Sequence, residues 1–250
     1  MIKKFRDITM IEIDDQHMLT VACDSCGGIG NKAHDLVQVS PYITGYYTAC
    51  VALAETIALG SWPITVVNTL SVEMNDTGKT ILDGIGDALD EIGIDRETML
   101  TGSTEENIPV TVTGMGITVI GKLNSSFTYP RAKPGNIAVV VGLPKVGDDV
   151  VNDQGEIMNL PTMVKLRKTD FIQDILPVGS KGIGYEALEM ARTGGLTFCP
   201  KEQLAMDMEQ SAGPATCAVV ALDGQYLDTL IEQVDLPVHV IGQFIKQNTM

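Results

Sequence analysis

The sequence is poor in aromatic residues and in cations. Phe, Trp and Tyr make up 5% of its 250 residues, with a single Trp. A core made from it must rest on Val, Ile, Leu, Met and Ala. Lys and Arg number 17 against 32 Asp and Glu, a formal net charge of -15. Such a surface repels nucleic acid and anionic membranes at long range, so neither is an expected partner. The three histidines, His17, His34 and His239, are scattered, and their spacing suggests neither a triad nor a metal cluster. The five cysteines are odd in number and widely spaced, a poor disulfide framework. Cys23-x-x-Cys26 has no second Cys pair or His cluster to complete a zinc set, and no thioredoxin-like context. The plain reading is a pair of small thiols beside a tight loop. Met1 to Arg6 is too polar for a signal peptide, and no apolar run reaches the roughly 18 residues of a spanning helix. These absences point to a reduced, cytoplasmic protein without a membrane span.

What is present suggests an ordered α+β chain. The apolar fraction of 44% is too high for disorder. Thr9 to Ile13 and Met18 to Cys23 read as the two strands of a hairpin. After a glycine-rich segment, Ser40 and Pro41 open a helix that stops near Gly60. Ile64 to Val72 is β-rich. Thr77 to Ile92 reads as a second helix, although Gly78, Gly84 and Gly86 each cost roughly 1 kcal/mol relative to Ala. Their use is expected to be close packing against a sheet. Val110 to Leu123 alternates as a strand. Tyr129 to Asn136 has the texture of a linker, so the expected domains are residues 1–128 and 129–250. In the second, Ile137 to Val141, Val164 to Thr169, Cys217 to Leu222 and Pro237 to Ile245 read as strands. Tyr185 to Thr193 and Gln225 to Val234 read as helices. The order is not a regular βαβ alternation, which favours α+β over a doubly wound sheet.

Three constellations carry chemistry. The first is Asp24 to Asp35. Gly27, Gly28 and Gly30 let the backbone approach a ligand, Lys32 offers a point charge for a phosphate, and Asp24 offers hard oxygen for Mg²⁺. The segment matches neither a P-loop nor a Rossmann fingerprint, and a bland glycine-rich turn is the competing reading. The second is Glu55, a carboxylate among apolar helix neighbours: either an exposed rim position or a paired or metal-bound group. The third is Thr101 to Asn107, a polar junction between a helix and a strand, suited to metal-nucleotide or simply solvated.

In this order the segments resemble the aminoimidazole ribonucleotide synthetase superfamily, which includes thiamine-monophosphate kinase. Arg6-Asp7-Ile8-Thr9-Met10-Ile11 resembles its acidic opening. Thr20 to Lys32 resembles its strand and Asp-Gly-Val-Gly-Thr-Lys signature. Ala52 to Gly60 looks like its Asn-Leu-Ser-Asp helix end, with Glu55 in place of the Asp. Gly102-Ser103-Thr104-Glu105-Glu106 is similar to Gly-Glu-Thr-Ala-Glu, and Lys133-Pro134-Gly135-Asn136 to the start of the second domain. Asp24 to Lys32 and Val178-Gly179-Ser180-Lys181-Gly182-Ile183 look most like the α-ribazole kinases of cobamide lower-ligand salvage. Lys181 departs from the second acid that thiamine-monophosphate kinase has there.

The resemblance implies a two-domain α+β fold, a homodimer formed through the N-terminal sheet, and ATP with Mg²⁺ as cofactors. The implied activity is an ATP-dependent phosphotransferase acting on an alcohol, the 5′-hydroxyl of α-ribazole. Asp7, Asp24 and Lys32 are then the catalytic candidates, and Asp7, Asp24 and Glu55 the metal ligands. Asp24, Gly27, Gly28, Gly30, Lys32, Gly102, Ser103 and Thr104 would hold the nucleotide. Ser180, Lys181 and Gly182 would meet the substrate. Asp35 is either a further metal ligand or a cap for the next segment. A thiamine-monophosphate kinase-like phosphotransferase and a non-catalytic nucleotide-binding regulator are the rival readings.

Overall fold

A computed structural model describes residues 1–204 and 206–247. The chain divides into two compact units. The first is Met1–Ile57 with Ser61–Phe127; the second is Ala58–Gly60 with the chain from Thr128 on.

The first unit contains β1 (Ile2–Phe5), β2 (Ile8–Glu12), β3 (His17–Gly27), β4 (Ile29–Gly30), β5 (Val37–Gln38) and α1 (Pro41–Leu59). It continues through β6 (Trp62–Leu70), an irregular turn (Met74–Gly78), α2 (Lys79–Asp90), α3 (Arg96–Met99), β7 (Leu100–Thr104) and β8 (Gly114–Asn124). Six strands form a sheet in the order β1-β2-β3-β8-β6-β7, antiparallel except for the β6–β7 pair. Alternation decides its faces. Met18, Thr20 and Ala22 of β3, Val66 and Leu70 of β6, and Met115, Ile117 and Val119 of β8 are buried on one side. On that side Thr56 of α1 packs against Gly121, and Thr20 hydrogen-bonds Ser61 at 2.6 Å.

The expected hairpin is present, with Thr9 opposite Val21. The expected first helix is α1. Its Ser40 hydroxyl accepts the Tyr42 N–H at 3.3 Å, the cap read from the sequence. The glycines of α2 serve a different neighbour from the one expected. A Cβ on Gly84 would lie 2.2 Å from the Tyr42 carbonyl oxygen, and one on Gly45 would lie 2.1 Å from that of Ile81. They let α1 and α2 cross backbone to backbone. Gly86 makes room for the Arg96 guanidinium. Boundaries move as well: β6 runs Trp62–Leu70, α2 Lys79–Asp90, and β8 begins at Gly114. Thr101 to Thr104, read as a junction, is the edge strand β7.

The second unit holds β9 (Ile137–Gly142), α4 (Asp148–Val151), α5 (Leu160–Arg167), β10 (Ile172–Pro177) and α6 (Gly182–Gly194). After them come β11 (Leu196–Pro200), β12 (Cys217–Leu222), α7 (Leu227–Gln233) and β13 (Val238–Lys246). Its sheet, β10-β12-β9-β13-β11, is antiparallel throughout. Val164 to Thr169, read as a strand, falls largely in α5. There Asn159 accepts the Thr162 N–H at 2.8 Å and a proline opens the first turn. That cap outweighs the β-branched residues. Both units mix helix and antiparallel strand, so the chain is α+β as expected. Among the described residues no helix is long and apolar enough to cross a membrane.

The glycine crossing yields a stability test. Gly84→Ala should overpack the α1–α2 contact and destabilise the protein by about 1–3 kcal/mol, read as a lower urea midpoint. An unchanged midpoint would show that the crossing is not tight.

Candidate functional site

One end of the first sheet gathers most of the sequence candidates. Gly27 ends β3 opposite Gly114, Met115 of β8 lies opposite Leu70, and Leu70 lies opposite Thr104. The glycine segment and Gly102–Thr104, far apart in sequence, therefore leave the sheet on the same side. The β1–β2 turn that carries Asp7 is also at this end, beside the part of β3 beyond Val21.

After Gly27 the backbone turns at Gly28, with φ 75°. Gly30 has no space for a side chain, since a Cβ would lie 2.3 Å from Thr113 Oγ1. β4 and β5 pair in parallel and close residues 31–36 into a loop. Buried Asp35 ties that loop down. Its Oδ1 accepts the Thr113 N–H at 2.7 Å, and its Oδ2 accepts the Thr113 hydroxyl at 2.7 Å and the Lys32 N–H at 2.8 Å. Burial raises the Asp35 carboxyl, but these bonds outweigh it and hold the group below the usual range. Asp35 thus acts as the structural tie of the segment. Gly28 donates its N–H to the Thr113 carbonyl at 2.9 Å, so that donor of the expected phosphate cradle is already engaged within the protein.

Lys32 points to a residue that sequence reasoning missed. Its ammonium lies 3.0 and 2.9 Å from the two carboxylate oxygens of Glu73, whose Oε1 also accepts the Thr77 hydroxyl at 2.6 Å. Burial pushes the Glu73 carboxyl up; the Thr77 hydroxyl and the Lys32 ammonium outweigh it and bring it to about 2. No motif flagged Glu73. The available signal was an acid three residues past the end of β6, before a turn.

Asp24 is half-buried on β3, on the helix-covered side with Ala22. Burial raises its carboxyl, offset in part by the Ser25 N–H. Burial also raises the neighbouring Cys26 thiol, with Asp24 and Asp35 adding to the effect. Cys23 projects from the opposite face, 3.3 Å from the Thr118 hydroxyl, so the two thiols do not face each other. Asp7 is exposed and Glu55 half-buried. Glu55 adjoins Thr56, level with the Thr20–Gly121 pair and further down the sheet than Asp24–Ile117. Among the described residues no group of three or more His, Cys, Asp or Glu could hold a metal ion by itself.

A cavity of about 420 Å³ opens beside β7, lined by Asn68, Met74, Asp83, Arg96, Glu97 and Gly102–Thr104, among others. Arg96 is its one lining cation, and it is held by Asp87 and Asp90. Asp87 in turn accepts the Tyr42 hydroxyl at 2.8 Å. The lining therefore disfavours an anion and favours hydroxyl or amine donors. Met74 lines the cavity and directly follows Glu73, the partner of Lys32.

In the second unit, Ser180 and Lys181 are exposed, with the Lys181 ammonium 4.2 Å above the Tyr185 ring. Gly182 is buried at φ 81°, against the Met208 carbonyl. That carbonyl also accepts the Gly184 N–H at 2.9 Å, so this donor in the first turn of α6 is taken. Side chains, rather than backbone, are what this loop presents.

Two α+β units, with a glycine loop and a polar cavity at one sheet end of the first, define a class. Residues 6–122, nearly all of the first unit, match the family model for the AIR synthase related protein, N-terminal domain. The family match is thus to the first unit. Solved structures share the fold across both units. A thiamine-monophosphate kinase from Stenotrophomonas maltophilia K279a is 16% identical with a TM-score of 0.67, over 98% of this chain and 89% of its own. T. maritima PurL complexed with ADP is 15% identical with a TM-score of 0.66, over 98% of this chain and 43% of its own, so the present chain spans less than half of it. A chain of the HypE-HypF complex is 14% identical with a TM-score of 0.66, over 95% of this chain and 87% of its own. At such identities the likeness is one of fold. No curated protein matches the sequence.

Two outcomes follow from the carboxylates. Asp35→Asn places an amide among donors and should cost about 1–3 kcal/mol, with faster hydrogen exchange at the Gly28 and Lys32 amides. Glu73 has a depressed folded-state value, about 2 against the ordinary 4.5. Its stabilisation is therefore present above 4.5 and lost as pH falls toward 2. Glu73→Gln should flatten that stretch of the acid unfolding curve; an unaltered curve would remove the pair from the stability argument.

Proposed function

We propose that the protein is an ATP-dependent kinase of small molecules, transferring the γ-phosphoryl group to the 5′-hydroxyl of α-ribazole. The observation that carries the ATP reading is that the glycine loop with Lys32 and the polar cavity beside β7 lie at one end of the first sheet. A ligand suited to both has an uncharged, hydroxyl-bearing part and an anionic part, which describes a nucleotide. Under this reading Gly102, Ser103 and Thr104 bound the nucleoside end. Lys32, with the close approach allowed by Gly27 and Gly28, meets the phosphates, while Gly30 packs against Thr113 and shapes the turn. The family match over residues 6–122 and the fold shared with a thiamine-monophosphate kinase support an ATP-using phosphotransferase. The α-ribazole assignment rests on the sequence resemblance at Asp24 to Lys32 and Val178 to Ile183, and Ser180, Lys181 and Gly182 are the proposed substrate contacts.

Phosphoryl transfer needs mainly positioning and charge neutralisation. The bond from the γ-phosphorus to its bridging oxygen breaks, the ribose oxygen bonds to phosphorus, ADP leaves and the hydroxyl proton is released. Mg²⁺ is the expected counter-charge. A magnesium site of this kind uses one or two carboxylates together with phosphate oxygens. Asp24 fits as one, because burial penalises its charge and a cation relieves that penalty; Asp7, at the same sheet end, is the proposed second. Glu55 of α1 is the third carboxylate that the resemblance implies for this set.

A homodimer is the proposed assembly. The sheet face opposite α1 carries half-exposed Ile11, Leu19, Val21, Val67 and Ile120, a face suited to a second copy. Light scattering should give twice the chain mass, and Val21→Lys should lower it; a monomer for the unaltered protein would overturn this.

Incubation with Mg-ATP and α-ribazole should yield α-ribazole phosphate and ADP, and Asp24→Asn should slow turnover by about 100-fold or more. No product would sink the α-ribazole claim. Product from thiamine phosphate instead would favour the other kinase. ATP binding without turnover on either acceptor would favour a regulator.

A further inference from the structure

The cation expected to meet phosphate is not idle in this structure. Lys32 is mostly buried, with 13% of its side chain exposed, and its ammonium is spent on both oxygens of Glu73. Glu73 is itself fixed from the other side by Thr77. The cation in the cavity wall, Arg96, is already held by Asp87 and Asp90. Met74 N–H and the Thr104 hydroxyl both go to Glu106, and the cavity beyond carries Asp83 and Glu97.

We propose that Glu73 is a resident competitor for Lys32: a polyphosphate binds the first unit by drawing the ammonium away from Glu73, so this carboxylate sets the affinity. The consequence follows from charge alone. An ammonium has three donors, so a phosphate oxygen either joins Glu73 on Lys32 or replaces it there. In both cases a fixed carboxylate faces the incoming anion, and like charges at contact weaken binding. Glu73 stays ionised across the neutral range, because its carboxyl is held to about 2. A ligand that brings its own divalent cation suffers less from it. Glu73 thereby selects for metal-complexed polyphosphate over bare anions. The inference rests on the reading that Lys32 meets the phosphates of ATP.

Calorimetric binding of inorganic tripolyphosphate, with and without Mg²⁺, tests it. Glu73→Gln should bind metal-free tripolyphosphate about tenfold more tightly than the unaltered protein, and Mg²⁺ should narrow the gap. Glu73→Asp, which keeps the charge, should stay near the unaltered value. In the Lys32→Met background the Glu73→Gln gain should be largely lost. Equal or weaker binding by Glu73→Gln overturns the proposal, as does the same gain from Glu73→Asp or the absence of binding in every variant. If Glu73→Gln does not fold, Thr77→Val reads the same point, since loss of the hydroxyl anchor should ease displacement and tighten binding by a smaller factor. The two claims separate cleanly. Tighter binding by Glu73→Gln with no phosphorylation of α-ribazole sinks only the kinase reading, and phosphorylation with unchanged binding sinks only this one.

Discussion

Asp35 is a carboxylate taken out of water, and burying such a charge is costly unless donors replace the lost solvent. Three donors do so here: the N–H and hydroxyl of Thr113 and the N–H of Lys32. Thr113 directly precedes β8, the strand between β3 and β6. The carboxylate therefore fastens the glycine segment to the middle of the sheet rather than to a flexible edge. The same contact sets the backbone of Lys32, and from there the side chain reaches Glu73 beyond the end of β6. Remove the tie, and the loop, the lysine and the approach past Gly30 lose their common reference.

The helices extend this order to the cavity. Seen from its sequence, α1 has no cation and one acid, Glu55, so it suits a position surrounded by protein. Gly45 and Gly84 then let α2 approach at backbone distance. That approach puts Asp87 within reach of the Tyr42 hydroxyl, and Asp87 with Asp90 holds Arg96 over Gly86. Arg96 ends up as a cavity wall with its charge already answered. Packing at two glycines thus decides the electrostatics of a surface several residues away.

Legibility in the sequence followed the range of the interaction. The β2–β3 hairpin, α1 with its Ser-Pro start, and β12 were readable because alternation, caps and apolar runs are local signals. β10 and β11 were missed, and α5 was read as a strand, because short apolar stretches do not declare their partner. Family resemblance pointed to Asp24 to Lys32 and to Gly102 to Thr104, and the register of the sheet puts both segments at one end. It did not reveal Glu73, Thr113 or Arg96. Glu73 and Thr113 act through Lys32 and Asp35, distant in the chain, and Arg96 through Asp87 and Asp90 on the helix before it. The glycines of α2 show the same limit: their cost was visible, but not the helix they make room for.

The two least exposed lysines in ion pairs show what distinguishes a fastener from a site. Lys145 and Lys32 are nearly equally covered, at 14% and 13% side-chain exposure. Lys145 is gripped by two carboxylates, Asp153 and Glu156, each at 2.6 Å, and it pins the loop between β9 and α5. A cation with two anions has no electrostatic reason to accept a third. Lys32 has a single carboxylate, a one-to-one charge match, in a loop where Gly27 and Gly28 admit close approach. In a chain of net charge -15, a fully unpaired buried lysine would be costly and an over-paired one inert. One counter-ion is the intermediate case: enough to hold the ammonium in place, and few enough for an incoming polyanion to contend with.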